Sequence, residues 1–85
     1  MKDALKKVFS EELISFKETA EDSKEMMIRR KILMNLMDYI HETFILDNVP
    51  AKAMKARGEL KKISFSKEKA IETLDELECL MNRLY

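Results

Sequence analysis

The only histidine of this 85-residue chain, His41, stands three residues after Asp38 in the run DYIH. On a helix this spacing places an imidazole and a carboxylate on one face, as in the metal sites of some helical bundles. Such a site needs further inward carboxylates, and Glu12 is the one good candidate. We therefore expect no metal ion, and we expect His41 to lie at the edge of the apolar surface or to pair with Glu12.

Candidate nucleophiles are equally isolated. Cys79 is the only cysteine, so it cannot form an internal disulfide, and it is expected on the surface, away from the apolar seam of its helix. The run from Ser64 to Lys67 has the S-x-x-K spacing of some acyl-transferring enzymes but lacks their other motifs. With one glycine the chain cannot form a glycine-rich phosphate loop. The sequence therefore predicts no catalytic residue, no cofactor and no enzymatic activity.

Cationic side chains cluster between residues 50 and 69. Such a cluster can neutralise phosphates, which would give salt-dependent binding of nucleic acid. A solvated helix face opposite the acidic terminal helices explains the same charges and is the preferred interpretation. No ladder of aromatic residues accompanies them for stacking on bases. A small nucleic-acid-binding regulator is therefore the alternative function, and its candidate residues are Lys52, Lys55, Arg57, Lys61 and Lys62.

The segment EMMIRRKILMNLMDYIHETFIL, residues 25–46, reads as one helix that is apolar on most of its circumference. A broad side faces the core, and Met27, Met34 and Ile45 form a second, separate patch. Methionine is either plain core filler or an adaptable contact residue. Because so short a chain offers few helices to cover both sides, we predict that this helix binds another protein or a second copy in a homodimer. The candidate partner-binding residues are Met27, Met34, Ile45, Met26 and Met37.

Four helices must position these residues. Apolar residues recur at spacings of three and four in the first helix, and a heptad seam marks the last. Asp22 with Glu25 fits a capping box at the start of the second helix, although an uninterrupted helix is the alternative. The first stripe comprises Leu5, Phe9, Leu13, Phe16 and Ala20, and the last seam comprises Ala70, Leu74, Leu77, Met81 and Leu84.

The remaining boundaries depend on turn-forming residues. Asn48 or Asp47 can cap the third helix, and Pro50 is tolerated in its first turn. Gly58 either ends this helix early or lies within it. Ser66 is the expected N-cap of the last helix. The predicted helices span residues 2–20, 23–47, 49–62 and 67–84.

Composition agrees with this scheme. The chain is 46% hydrophobic and 38% charged, with one Gly, one Pro and no net charge. It is too apolar for a disordered chain and too charged for a membrane protein, and its N-terminus lacks the pattern of a signal peptide. The predicted class is all-α, a single domain over residues 1–85 that forms an antiparallel bundle of three long helices and one short one. We expect a small cytoplasmic regulator, inhibitor, adaptor or immunity-type factor, from a bacterium or its phage and without membrane contact.

Overall fold

The computed structural model describes residues 2–85, which form four α-helices; Met1 lies outside the described part of the chain. The predicted bundle of three long helices and one short helix is confirmed. None of the described helices is long and apolar enough to cross a membrane. The helices are α1 (Lys2–Glu18), α2 (Lys24–Thr43), α3 (Val49–Lys61) and α4 (Lys67–Leu84).

Each helix packs against two neighbours and runs antiparallel to them. Helix α1 contacts α2 and α4, and α3 contacts the same two helices. The ammonium of Lys2, at the start of α1, lies 5.0 Å from the centre of the Tyr85 ring beyond the end of α4. At the opposite end of this pair of helices, Lys67 Nζ donates to the carbonyl of Lys17 at 2.7 Å. The four helices therefore alternate in direction, up, down, up and down, around one apolar core.

The core confirms most of the two predicted apolar stripes. Phe9, Leu13 and Phe16 of α1 are buried, and so are the first four residues of the α4 seam. Ala20 is exposed, because α1 ends at Glu18 and the chain turns away two residues before the predicted end.

The break between α1 and α2 is present, but its cap differs from the prediction by one residue. Ser23, not Asp22, is the N-cap of α2: its backbone is extended, and its Oγ accepts a hydrogen bond from the amide of Met26 at 3.2 Å. Glu25 does not close a capping box. Its carboxylate lies 3.2 Å from Arg29, one turn further along α2.

Helix α2 ends at Thr43, four residues before the predicted end. Phe44 leaves the helix with φ −103° and ψ 91°, and its buried ring packs edge-on against Tyr85 with a centroid distance of 4.6 Å. The amide of Leu46 donates to the Tyr85 hydroxyl at 2.9 Å. Asp47 then adopts a left-handed φ of 52°, a conformation that aspartate tolerates in turns. The aromatic pair therefore outweighs the local preference of this segment for helix.

The remaining boundaries agree with the prediction more closely. Pro50 lies in the first turn of α3, although Asn48 makes no side-chain cap. Gly58 lies inside α3 rather than at its end. Ser66 caps α4 as predicted, because its Oγ accepts from the amide of Lys69 at 3.3 Å.

Candidate functional site

The structure divides the five predicted partner-binding residues into two groups. Met26 and Met37 are 1% and 0% exposed, because they lie on the side of α2 that the other helices cover. They belong to the core and offer a partner no accessible surface, which corrects their assignment to the binding surface. Met34 is half-buried and packs against the core, whereas Met27 and Ile45 are 70% and 71% exposed.

The second apolar patch of α2 is not one continuous surface. Met27 lies in the first turn of α2, while Ile45 follows its last residue and lies beside Leu46 in the connection to α3. At about 1.5 Å per residue, the part of α2 from Met27 to Thr43 is about 24 Å long, so the two residues lie at opposite ends of the helix. The early end of α2 at Thr43 is the reason that Ile45 does not share a helix face with Met27 and Met34.

Met27 and Met34 line a concave surface between α2 and α3, which we name the α2–α3 groove. It has a volume of about 430 Å³. Its apolar lining comes from Met27, Ile28, Met34 and Leu60, and its charged lining comes from Arg30, Lys31 and Lys61.

Two apolar residues of this groove were not among the predicted contact residues. Ile28 falls on the broad side of the helical wheel that is expected to face the core, yet it is 60% exposed. Leu60 is buried and contributes from α3. Its place beside α2 depends on how the two helices pack, and no pattern within either helix indicates it.

Arg30 connects α2 to the C-terminal end of α3 at one side of the groove. Its Nε donates to the carbonyl of Leu60 at 2.7 Å, and its Nη2 donates to the carbonyl of Lys62 at 2.9 Å. The guanidinium also lies 4.1 Å from the centre of the Phe65 ring. The last carbonyls of a helix have no partner within it, so Arg30 satisfies the C-terminal end of α3 from α2. Arg30 therefore links the two helices that form the groove.

The other two cations of the groove remain available. Lys31 and Lys61 are exposed, and among residues 2–85 neither forms an ion pair. No carboxylate contributes to the lining. The groove thus combines an apolar floor with a rim of positive charge.

The residues predicted for nucleic-acid binding do not form one free basic patch. Lys52 lies 3.5 Å from Glu76 of α4, Arg57 lies 2.9 Å from Asp38 of α2, and Lys62 lies 2.8 Å from Glu59, so the first two point toward different neighbouring helices. Lys55 and Lys61 are exposed and form no ion pair within the described chain. Much of the basic segment therefore balances acidic groups of the same molecule.

The residues considered for metal chemistry also lie in separate environments. Glu12 is partly exposed and lies 3.1 Å from Arg29, whereas Asp38 pairs with Arg57. His41 and Cys79 are exposed. Across residues 2–85, no group of three or more His, Cys, Asp or Glu side chains is arranged to hold a metal ion.

Comparison with protein-family models, with curated proteins and with solved structures finds no match for this chain. The site is therefore described by its own geometry alone.

Proposed function

We propose that this chain is a small non-catalytic regulator that binds another protein through the α2–α3 groove. The observation that supports this most strongly is the exposure of Met27 and Ile28 beside Met34 and Leu60 in one concave surface. Water is released from apolar surface when a partner covers it, and this drives association. Methionines suit such a role because their side chains adapt to the shape of a partner.

The mode of action is occlusion. The groove covers an apolar segment of the partner, so that this segment cannot contact other molecules. An inhibitor, an adaptor and an immunity-type factor all act in this way, and a second copy of the chain is the alternative occupant. The lone thiol supports a reducing compartment such as the cytoplasm.

The test compares two substitutions in the same helix. Ile28→Glu places a charge in the groove, and Tyr39→Glu places the same charge on an equally exposed position of α2 that does not line the groove, since Tyr39 is 62% exposed. Circular dichroism establishes that both variants keep their helices. Proteins that co-purify with the tagged wild type are identified by mass spectrometry, and the complex is then rebuilt from purified components.

We expect the rebuilt complex to survive Tyr39→Glu and to lose affinity at least about 30-fold with Ile28→Glu, because a central contact residue contributes about 2 kcal/mol or more. Equal affinity of the two variants for the partner would contradict the proposal.

A further inference from the structure

We infer that the occupant of the α2–α3 groove is an acidic amphipathic helix of a different protein, and that its backbone crosses α3 next to Gly58. This inference rests on the proposed function and adds the chemistry and the position of the partner.

The charge of the partner is inferred from the rim of the groove. Lys31 and Lys61 lack ion-pair partners in residues 2–85, whereas Arg30 is occupied by two carbonyls and the Phe65 ring. A segment with Asp or Glu beside its apolar anchor would pair with the two lysines, and a basic segment would be repelled by them. The groove therefore selects for carboxylates on either side of the docked apolar residue.

The same rim argues against a second copy of this chain. In a two-fold dimer whose axis passes through the groove, each groove would face the other, so the lysines of one copy would approach those of the other. A different protein with a convex, acidic and apolar surface fits better.

The secondary structure of the partner follows from what this chain offers. The described residues form helices and turns, so they present no edge strand to which an extended peptide could add. A groove between two helices instead receives the apolar face of a third helix, with anchors three or four residues apart.

Gly58 indicates where that helix crosses. It lies inside α3 without a positive φ, and a Cβ added to it would meet no atom within 4 Å. The fold of the isolated chain thus gives no reason for glycine, which is the poorer helix former here. Gly58 is exposed and does not itself line the groove, but it lies three residues before Lys61, which does, and four after the exposed Met54. Residues three or four apart share a face of a helix, so Gly58 lies one turn away from the groove on the outward side of α3. A position without a Cβ allows another backbone to approach closely.

The first test is a peptide selection. A display library of helix-patterned peptides of about 18 residues, long enough to form a marginal helix in water, is selected on the intact wild-type protein and counter-selected on Ile28→Glu. We expect the remaining sequences to carry Asp or Glu next to their apolar anchors. Peptides that depend on the groove but are neutral or basic would overturn this inference while leaving the proposed function intact. If no groove-dependent peptide emerges, the proposed function itself fails.

The second test uses the selected peptides with three variants of the protein. Replacing both Lys31 and Lys61 by Glu should weaken binding at least tenfold, or about 1.4 kcal/mol, and should reduce its dependence on salt. Gly58→Ala should weaken binding about tenfold although it improves the helix. Replacing the exposed Lys7 of α1 and the exposed Arg83 of α4 by Glu, two changes outside the groove, is the matched control and should leave affinity unchanged. Unchanged binding with Gly58→Ala would overturn the crossing position, and equal effects of the lysine changes and the control would overturn the acidic partner.

Discussion

The α1–α4 face and the α2–α3 groove differ in whether their charged side chains are paired within the molecule. On the α1–α4 face Lys17 lies 2.8 Å from Asp75, and Ser10 donates to Glu78 at 2.6 Å. In the groove, large apolar side chains are exposed, and two lysines form no ion pair within residues 2–85. The charged groups of the first face pair within the molecule, whereas two cations of the groove do not.

A depression beside the α1–α4 face makes the difference clearer. It has a volume of about 420 Å³, close to that of the groove, and involves Glu21 and Lys67. The Glu21 carboxylate accepts from the amide of Lys67 at 2.7 Å, and the Lys67 ammonium donates to a carbonyl of α1. Its Glu21 and Lys67 side chains thus bind groups of this chain. The volume of a concave surface does not by itself indicate a binding site. Exposed apolar area beside charges without an ion-pair partner is the better indication.

The largest expected effect separates the two kinds of methionine in α2. Met37→Ala removes a fully buried side chain and should lower the free energy of unfolding by about 2–5 kcal/mol. Met27→Ala removes an exposed one and should change it by less than about 0.5 kcal/mol. Urea denaturation followed by circular dichroism measures both. Similar losses for the two variants would mean that the core and the groove are not distinct.

Arg30 should give the next largest effect, because it joins the two helices of the groove. Arg30→Ala leaves the carbonyls of Leu60 and Lys62 without this donor and should cost about 2 kcal/mol. Arg30→Lys should recover only part of this, since one ammonium cannot reproduce both hydrogen bonds and the stacking on Phe65. The exposed Arg83 is the matched control. Denaturation midpoints that are the same for Arg30→Ala and Arg83→Ala would show that Arg30 does not hold the groove.

Gly58→Ala should stabilise the isolated protein by about 0.5–1 kcal/mol. The physical reason is that alanine loses less backbone entropy in a helix, and the added Cβ has open space around it. Thermal unfolding measures the change. A lower melting temperature would show that α3 does not have the described conformation at this position.

The smallest effect is expected on the α1–α4 face. Asp75→Ala breaks the ion pair with Lys17, whose two side chains are 39% and 47% exposed, and should cost less than about 1 kcal/mol. It should leave affinity for the partner unchanged. A loss of partner binding as large as that of Ile28→Glu would move the binding surface to the α1–α4 face.

The features that the sequence predicts correctly are those that local pattern determines. The number of helices, the seam of α4 and the Ser66 cap all depend on spacing and residue type within a few turns. The sequence places the end of α2 four residues too late, because it does not show that Phe44 packs against Tyr85, at the far end of the chain.

Half of the candidate site was predictable and half was not. A helical wheel finds Met27 and Met34 as a patch that one neighbour does not cover. It does not show that Leu60 and Lys61 complete the groove from α3, nor that Arg30 donates hydrogen bonds to carbonyls at the end of α3. These contacts arise only when α2 and α3 pack.

Site-specific photocrosslinking tests the central claim most directly. A diazirine amino acid is placed at Met27 in the groove and, as a control, at the exposed Val8 of α1. Irradiation of cells that make the protein should yield a covalent adduct with one other protein from position 27 and not from position 8. The same adducts from both positions, adducts only with a second copy of the chain, or none from either position would contradict the account.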